Sequence, residues 1–100
     1  MISPHTAMMF KALTSKITVD IINALVKCEV LKKADFKSML ELEDSLIDYH
    51  LQKLLELHMV EKAYSKYDME IFQGYKLTKK AYKIIVELNT FKLEASKIGN

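Results

Sequence analysis

Histidine and cysteine side chains are the first candidates for chemistry in this chain, because they bind metals and act as bases or nucleophiles. The three histidines, His5, His50 and His58, are not at helical ligand spacing. Cys28 is the only cysteine, which excludes an internal disulfide and a thiolate-rich metal site. No nucleophile, base and orienting acid form a catalytic motif, and there is no glycine-rich phosphate loop. We therefore expect no metal, no cofactor and no enzymatic activity, with His50 structural and Cys28 a small core residue.

A second group of side chains suits contact with another macromolecule. Between residues 45 and 57 the apolar Ile47, Leu51 and Leu54 recur at helical spacing and predict a buried stripe. The opposite face carries hydroxyl, amide, ammonium and carboxylate groups. It is either a binding surface or an ordinary solvated helix face. Its residues are Ser45, Leu46, Asp48, Tyr49, Gln52, Lys53 and Glu56.

Composition limits the fold and the environment that must support this face. One hundred residues suffice for a single domain, and two glycines with one proline predict short connections and a mainly helical body. The net charge of +2 hides an uneven distribution, with −2 over residues 32–60 and +3 over residues 61–83. The chain begins without a secretory signal pattern and has no apolar run long enough to span a bilayer. We expect a cytoplasmic protein with no membrane contact.

Helical periodicity predicts four segments before residue 59. A short first helix is expected from Thr6 to Leu13 and an amphipathic helix from Ile17 to Cys28. A third helix, from Ala34 to Leu42, is expected to bury Phe36, Met39, Leu40 and Leu42. The fourth runs from Ser45 to His58, with His58 on its apolar side and Asp44 or Ser45 as its N-cap. The last two helices, joined by about four residues, predict a helix-turn-helix.

After Met59 the periodicity changes to about two. Two strands around a turn at residues 66–70 predict a β-hairpin, with Tyr64 and Tyr75 favouring packing on the sheet. Lys66 and Tyr67, at its tip, are equally suited to contact with another molecule. Thr78 is expected to cap a long final helix whose apolar stripe exceeds what one small domain needs. That stripe either forms a dimer interface or folds back on its own chain. Its residues are Ile84, Ile85, Leu88, Phe91, Ala95 and Ile98.

The sequence from Leu42 to Val60, LEDSLIDYHLQKLLELHMV, resembles the recognition-helix segment of winged helix-turn-helix regulators of the ArsR and MarR type. Four further pieces match in order, and the resemblance covers about residues 7 to 88. They are Phe10-Lys-Ala-Leu13, Ile21-Ile-Asn-Ala-Leu25, Asp35-Phe36 and Tyr75-Lys-Leu-Thr78-Lys. The fold that the resemblance implies is mainly α with a small β-hairpin (α+β), in one domain over residues 1–100. Its helix-turn-helix would span about 34–58, its wing about 59–77 and its C-terminal dimerisation helix about 78–98.

The resemblance implies a homodimeric transcriptional regulator that binds double-stranded DNA. The helix over 44–57 would enter the major groove, where side chains read base edges, while the wing contacts the backbone. Asp48 on that helix would repel phosphates and suits only an exposed cytosine amino group. The candidate DNA-binding residues are Ser45, Leu46, Asp48, Tyr49, Gln52, Lys53, Lys66 and Tyr67.

Two other functions fit the same fold. The negative charge of residues 32–60 favours a protein-interaction module that docks a polypeptide on its acidic 41–48 stretch. A protein that coats DNA without sequence preference is the third interpretation. No internal pocket for a small-molecule effector is evident from the sequence.

Overall fold

Four helices and one hairpin follow each other in the computed structural model, which describes Pro4 and residues 15–87. The predicted helix from Thr6 to Leu13 lies outside the described residues, and so does the C-terminal segment after residue 87. The elements, in order, are α1 (Lys16–Cys28), α2 (Lys33–Leu40), α3 (Asp44–Glu56), β1 (Val60–Tyr67), β2 (Glu70–Leu77) and α4, which begins at residue 79 and is described as far as residue 87.

A single hydrophobic core joins α1, α3 and the base of the hairpin. Each element contributes side chains at the period that its geometry requires, three to four residues in the helices and two in the strands. Phe36 is the contribution of α2, and it is fully buried. The largest fully buried side chains are Phe36, Ile21, Leu25, Ile47, Leu54, Leu57, Met59 and Val60.

The predicted helix-turn-helix is present, with shorter helices than expected. Residues 41–43 connect α2 to α3, and Glu41 has a positive φ of 53° in the left-handed region. The residue before α3 is Glu43, which makes no capping hydrogen bond, so the prediction that Asp44 or Ser45 caps this helix was wrong. Asp44 instead lies in the first turn, where its negative charge complements the helix dipole.

The hairpin is longer and its turn is tighter than the sequence suggested. β1 pairs antiparallel with β2 from Val60 opposite Leu77 to Tyr67 opposite Glu70. Only Asp68 and Met69 form the turn, both with positive φ, as hairpin turns of the primed types need. The strands therefore take in residues that the sequence had assigned to the turn.

The base of the hairpin is attached to the segment between α1 and α2. Leu31 and Tyr75 exchange two backbone hydrogen bonds, of 3.1 Å from the Leu31 N–H and 2.8 Å from the Tyr75 N–H. The Tyr75 ring packs at 6.4 Å from the ring of Phe36. These contacts fix the hairpin against the helix-turn-helix, while its outer end extends away from the core.

Thr78 caps α4, as predicted. Its hydroxyl accepts a hydrogen bond from the Ala81 N–H at 3.1 Å and donates one to the His58 carbonyl at 2.7 Å. The start of α4 is thereby joined to the chain that leaves α3. Among the described residues, no helix is long and apolar enough to cross a bilayer.

Three burial predictions near helix ends were wrong. Cys28, the last residue of α1, is exposed, and Met39 near the end of α2 is 48% exposed. His58 is also exposed, because α3 ends at Glu56 and the chain then turns through a positive φ of 58° at His58. Leu57 and Met59 enter the core on either side of it. Another residue with positive φ, Glu29, follows α1 directly.

Candidate functional site

The outward face of α3 is the largest group of predicted site residues that the structure brings together. Ile47, Leu51 and Leu54 are buried, so the residues between them are directed away from the core. Lys53 is half-buried; the other predicted residues on this face are all exposed. They are Ser45, Leu46, Asp48, Tyr49 and Gln52.

Tyr49 stands at the centre of this face and is 58% exposed. The ammonium group of Lys53, one turn further along, lies 5.7 Å from the centre of the Tyr49 ring, within cation–π range. The His50 ring meets the Tyr49 ring edge-on at 5.2 Å. Tyr49 therefore presents its hydroxyl and ring to solvent while its neighbours limit its rotation.

His50 connects this face to α1. Its Nδ1 is 3.3 Å from the hydroxyl of Thr18, the buried polar residue of α1. The contact satisfies a buried hydroxyl that would otherwise cost free energy. This contact between two helices agrees with the prediction that His50 has a structural role.

Two acidic residues of α3, Asp44 and Asp48, are paired with lysines of α2, whereas Glu56 accepts a hydrogen bond from the Gln52 amide at 3.5 Å. Lys33 Nζ lies 2.8 Å from one carboxylate oxygen of Asp48 and 2.9 Å from the other. One turn away, Lys37 Nζ lies 3.5 Å from Asp44. We call these two pairs the ion-pair ladder. The hydrogen bond to Asp48 raises the pKa of Lys33 above its ordinary value, because it favours the charged form of the lysine.

Sequence reasoning missed the ion-pair ladder, although a signal for it exists. Lys33 and Lys37 are four residues apart, and so are Asp44 and Asp48, so each pair lies on one face of its helix. Opposite charges repeated at this spacing on two helices joined by a short turn indicate a contact between them. The sequence had suggested that Asp48 would be an uncompensated negative charge.

The wing presents the two predicted residues, Lys66 and Tyr67, in exposed positions near its tip. Tyr64 is 74% exposed, so the expectation that its ring packs on the sheet was wrong. Tyr67, which the sequence left open to contact with another molecule, is 76% exposed. Only Tyr75 of the three packs inward. Lys32, just before α2, lies 5.0 Å over the ring of Phe72 and links the wing to the helix-turn-helix.

The predicted dimer residues are only partly within the described chain. Ile84 and Ile85 are half-buried against the core of their own chain. The apolar residues of α4 that face solvent are Tyr82 and Val86, four residues apart on one helix face. The other predicted dimer residues, Leu88, Phe91, Ala95 and Ile98, lie outside the described residues.

No group of possible metal ligands accompanies this surface within residues 15–87. Three or more possible ligands from His, Cys, Asp and Glu do not come together anywhere in that range. An open groove between α1 and α2 has Asp20, Lys27 and Met39 among its lining residues. The candidate site is thus the exposed face of α3, which buried residues of the same helix hold against the core.

Solved structures share this fold. The reduced form of the transcriptional regulator YodB from B. subtilis matches with a TM-score of 0.75 and 16% identity, over 97% of this chain and 94% of that chain. The transcriptional repressor PagR of Bacillus anthracis matches with a TM-score of 0.62 and 24% identity, over 84% and 92%. HlyU from Vibrio cholerae matches with a TM-score of 0.65 and 22% identity, over 87% and 90%. No family model matches the chain, and no curated protein matches its sequence.

Together with the element order, these likenesses identify the fold as a winged helix-turn-helix. In that fold α3 is the second helix of the motif and the hairpin is the wing.

Proposed function

We propose that this chain is a transcriptional regulator that binds double-stranded DNA. The observation that carries the proposal is the exposed face of α3, the second helix of the motif, with Tyr49 and Lys53 at its centre and with Asp44 and Asp48 paired. A helix of this kind fits the major groove. The transcriptional regulator YodB and the transcriptional repressor PagR have the same fold, which supports the proposal.

Each side chain on this face has a contact that it is suited to make. Lys53 attracts phosphate, Gln52 offers a bidentate amide to adenine, and Leu46 suits a thymine methyl group. The hydroxyls of Ser45 and Tyr49 donate to phosphate or to base acceptors. On the wing, Lys66 and Tyr67 are placed to contact the neighbouring backbone.

We propose a homodimer as the binding unit, since two-fold symmetry presents two recognition helices about one DNA turn apart and so gives specificity for a palindrome. The C-terminal residues would supply the contact. The proposed residues are Ile84, Ile85, Leu88, Phe91, Ala95 and Ile98. Tyr82 and Val86 lie on the solvent-facing side of α4, away from Ile84 and Ile85, and would join this contact.

The test is a fluorescence anisotropy titration of duplexes from the DNA upstream of the protein's own gene. The Tyr49→Ala, Lys53→Ala double variant is expected to bind at least about tenfold more weakly than wild type, because one lost base or phosphate contact costs about 1–3 kcal/mol. Lys27→Ala, which removes one charge from α1, is the control and should lose much less affinity.

Salt provides a second reading of the same experiment. Wild-type affinity should fall steeply as salt rises, with a smaller slope for the double variant, because fewer counterions are released. Equal weak affinity of both proteins on every duplex at low salt would contradict the proposal.

The rival, in which a polypeptide docks on the acidic 41–48 stretch, has less support. Asp44 and Asp48 already face lysines of α2, so that surface is less negative than its sequence indicates. A partner recovered from cell extract after nuclease treatment, together with no DNA binding, would favour the rival instead.

A further inference from the structure

The stronger pair of the ion-pair ladder lies directly beside the face of α3 that we propose binds DNA. Asp48 precedes Tyr49 in the sequence, and both of its carboxylate oxygens are within 2.9 Å of Lys33 Nζ. In the other pair, Lys37 and Asp44 meet at the longer distance of 3.5 Å. The two pairs therefore differ in strength although they join the same two helices.

Neither pair is needed to hold the fold together. The side chains of Lys33 and Asp48 are 39% and 58% exposed. Ion pairs at such exposed positions contribute little to folding free energy. Phe36 and Ile47, which are fully buried, hold α2 and α3 in the core. We therefore expect the Lys33–Asp48 pair to change the electrostatic potential around α3 much more than the free energy of folding.

That field decides whether a phosphate backbone can approach α3. An unpaired carboxylate beside Tyr49 would repel the phosphates that Lys53 attracts, and like charges brought together at an interface are strongly unfavourable. A lysine that contacts both carboxylate oxygens removes most of this repulsion.

We propose that Lys33 is a positioning residue for DNA binding, which acts by neutralising Asp48 and not by touching DNA itself. This inference rests on the proposed function. It assigns a part in recognition to a residue of the first helix of the motif, outside the exposed face of α3. It also explains how α3 carries an aspartate on a surface that faces a polyanion.

A double-mutant cycle tests the inference, with wild type, Lys33→Met, Asp48→Asn and the combined variant titrated against the same duplex at low salt. Lys33→Met alone should weaken binding about five- to tenfold, since residues in direct contact couple strongly. Asp48→Asn should bind as well as wild type or better. The combined variant should bind within about twofold of Asp48→Asn, because no carboxylate is left to neutralise.

Two further variants separate neutralisation from a loss of charge or of structure. Lys33→Arg, which keeps the charge and suits both carboxylate oxygens, should restore wild-type affinity. Lys37→Met removes the same charge one turn along α2 from the weaker pair and should cost no more than about twofold. Circular dichroism should give the same helix content for all variants, and Lys33→Gln replaces Lys33→Met if the latter does not fold.

The possible outcomes are distinct. If Lys33→Met weakens binding equally in the wild-type protein and in the Asp48→Asn variant, Lys33 contacts DNA directly and the inference is wrong, while the proposed function stands. If Lys33→Met has no effect, the inference is also wrong. If wild type binds no duplex at all, the proposed function fails and the inference fails with it.

Discussion

Gly74 is the residue on which the attachment of the wing depends most directly. It lies on β2 beside Tyr75, where the strand crosses the backbone between α1 and α2. A Cβ atom at this position would come within 2.9 Å of the Leu31 carbonyl oxygen and 2.9 Å of a Val30 methyl group. The backbone of β2 can thus approach the backbone at Leu31 only because residue 74 has no side chain.

Gly74→Ala is therefore expected to destabilise the protein by about 1–3 kcal/mol, the usual cost of forcing an extra methyl group into a well-packed site. Urea denaturation followed by circular dichroism measures the change. Lys62→Thr, at an exposed position of β1, is the control and should change stability by less than about 0.5 kcal/mol. Equal stability of Gly74→Ala and wild type would show that the Leu31 backbone moves aside freely.

Single residues were predictable from the sequence where a regular element continues on both sides of them. The exposure of Tyr49 follows from the burial of Ile47 and Leu51, as helical periodicity requires. At the end of a helix the same periodicity predicts burial although no neighbouring element is present to cover the side chain, as at Cys28 and Met39. The Lys33–Asp48 contact was not predicted, because it depends on how α2 crosses α3.

At the scale of elements, the junction between α3, the hairpin and α4 holds the wing in place. The Thr78 hydroxyl contacts both the His58 carbonyl and the Ala81 N–H, and the Thr78 N–H donates to the Met59 carbonyl. Lys80 adds a hydrogen bond to the Leu57 carbonyl at 3.0 Å. The residue before β1, Met59, and the residue after β2, Thr78, are thus joined by a hydrogen bond at the base of the hairpin.

Thr78→Val, which replaces the hydroxyl by a methyl group of similar size, is expected to lower stability by about 1–2 kcal/mol, because the cap of α4 is lost. Thr78→Ser keeps the hydroxyl and should lie within about 0.5 kcal/mol of wild type. Thermal and urea unfolding of the three proteins measure these differences. If the valine variant is as stable as wild type, the Thr78 hydroxyl contributes nothing to stability and the prediction is wrong.

The order and type of these elements could be predicted from the sequence, and so could the last residue of α1 and the cap of α4, but the ends of α2, of α3 and of the hairpin turn could not. Periods of three to four and of two distinguish helices from strands over residues 16–77. The turn was placed over five residues because its polar residues resemble a loop, whereas only Asp68 and Met69 leave the strands. Polar residues indicate exposure to solvent and not a turn as such. The outer parts of the two wing strands are exposed and therefore as polar as the turn between them.

At the scale of the whole molecule, the proposed homodimer needs a surface that joins two copies. The stripe predicted from the sequence divides within α4. Ile84 and Ile85 face the core of their own chain, and Tyr82 and Val86 face solvent. A dimer that uses this part of α4 must therefore bury Tyr82 and Val86.

Val86→Glu is expected to shift the protein from dimer to monomer in sedimentation equilibrium, because a charge would be buried without a partner at the interface. Val86 is 61% exposed in the single chain, so folding should be unaffected. Ile71→Glu, a matched change at a 72% exposed position of the wing, should leave the mass unchanged. An unaltered mass for Val86→Glu would place the dimer contact on a different surface.

Positive φ angles at residues other than glycine have a consequence for how this protein could change. Glu29, Glu41 and His58 follow the three helices before the hairpin, and Asp68 with Met69 forms its turn. A side chain such as that of Glu41 or Met69 costs roughly 1 kcal/mol in this conformation, somewhat more than the entropy that glycine would lose, whereas Asp68 and His58 tolerate it better. We therefore expect that this backbone can accept a more heat-resistant sequence. Glycine or asparagine at such positions is expected to raise the free energy of unfolding. None of the five positions lies on the face of α3 that we propose reads DNA.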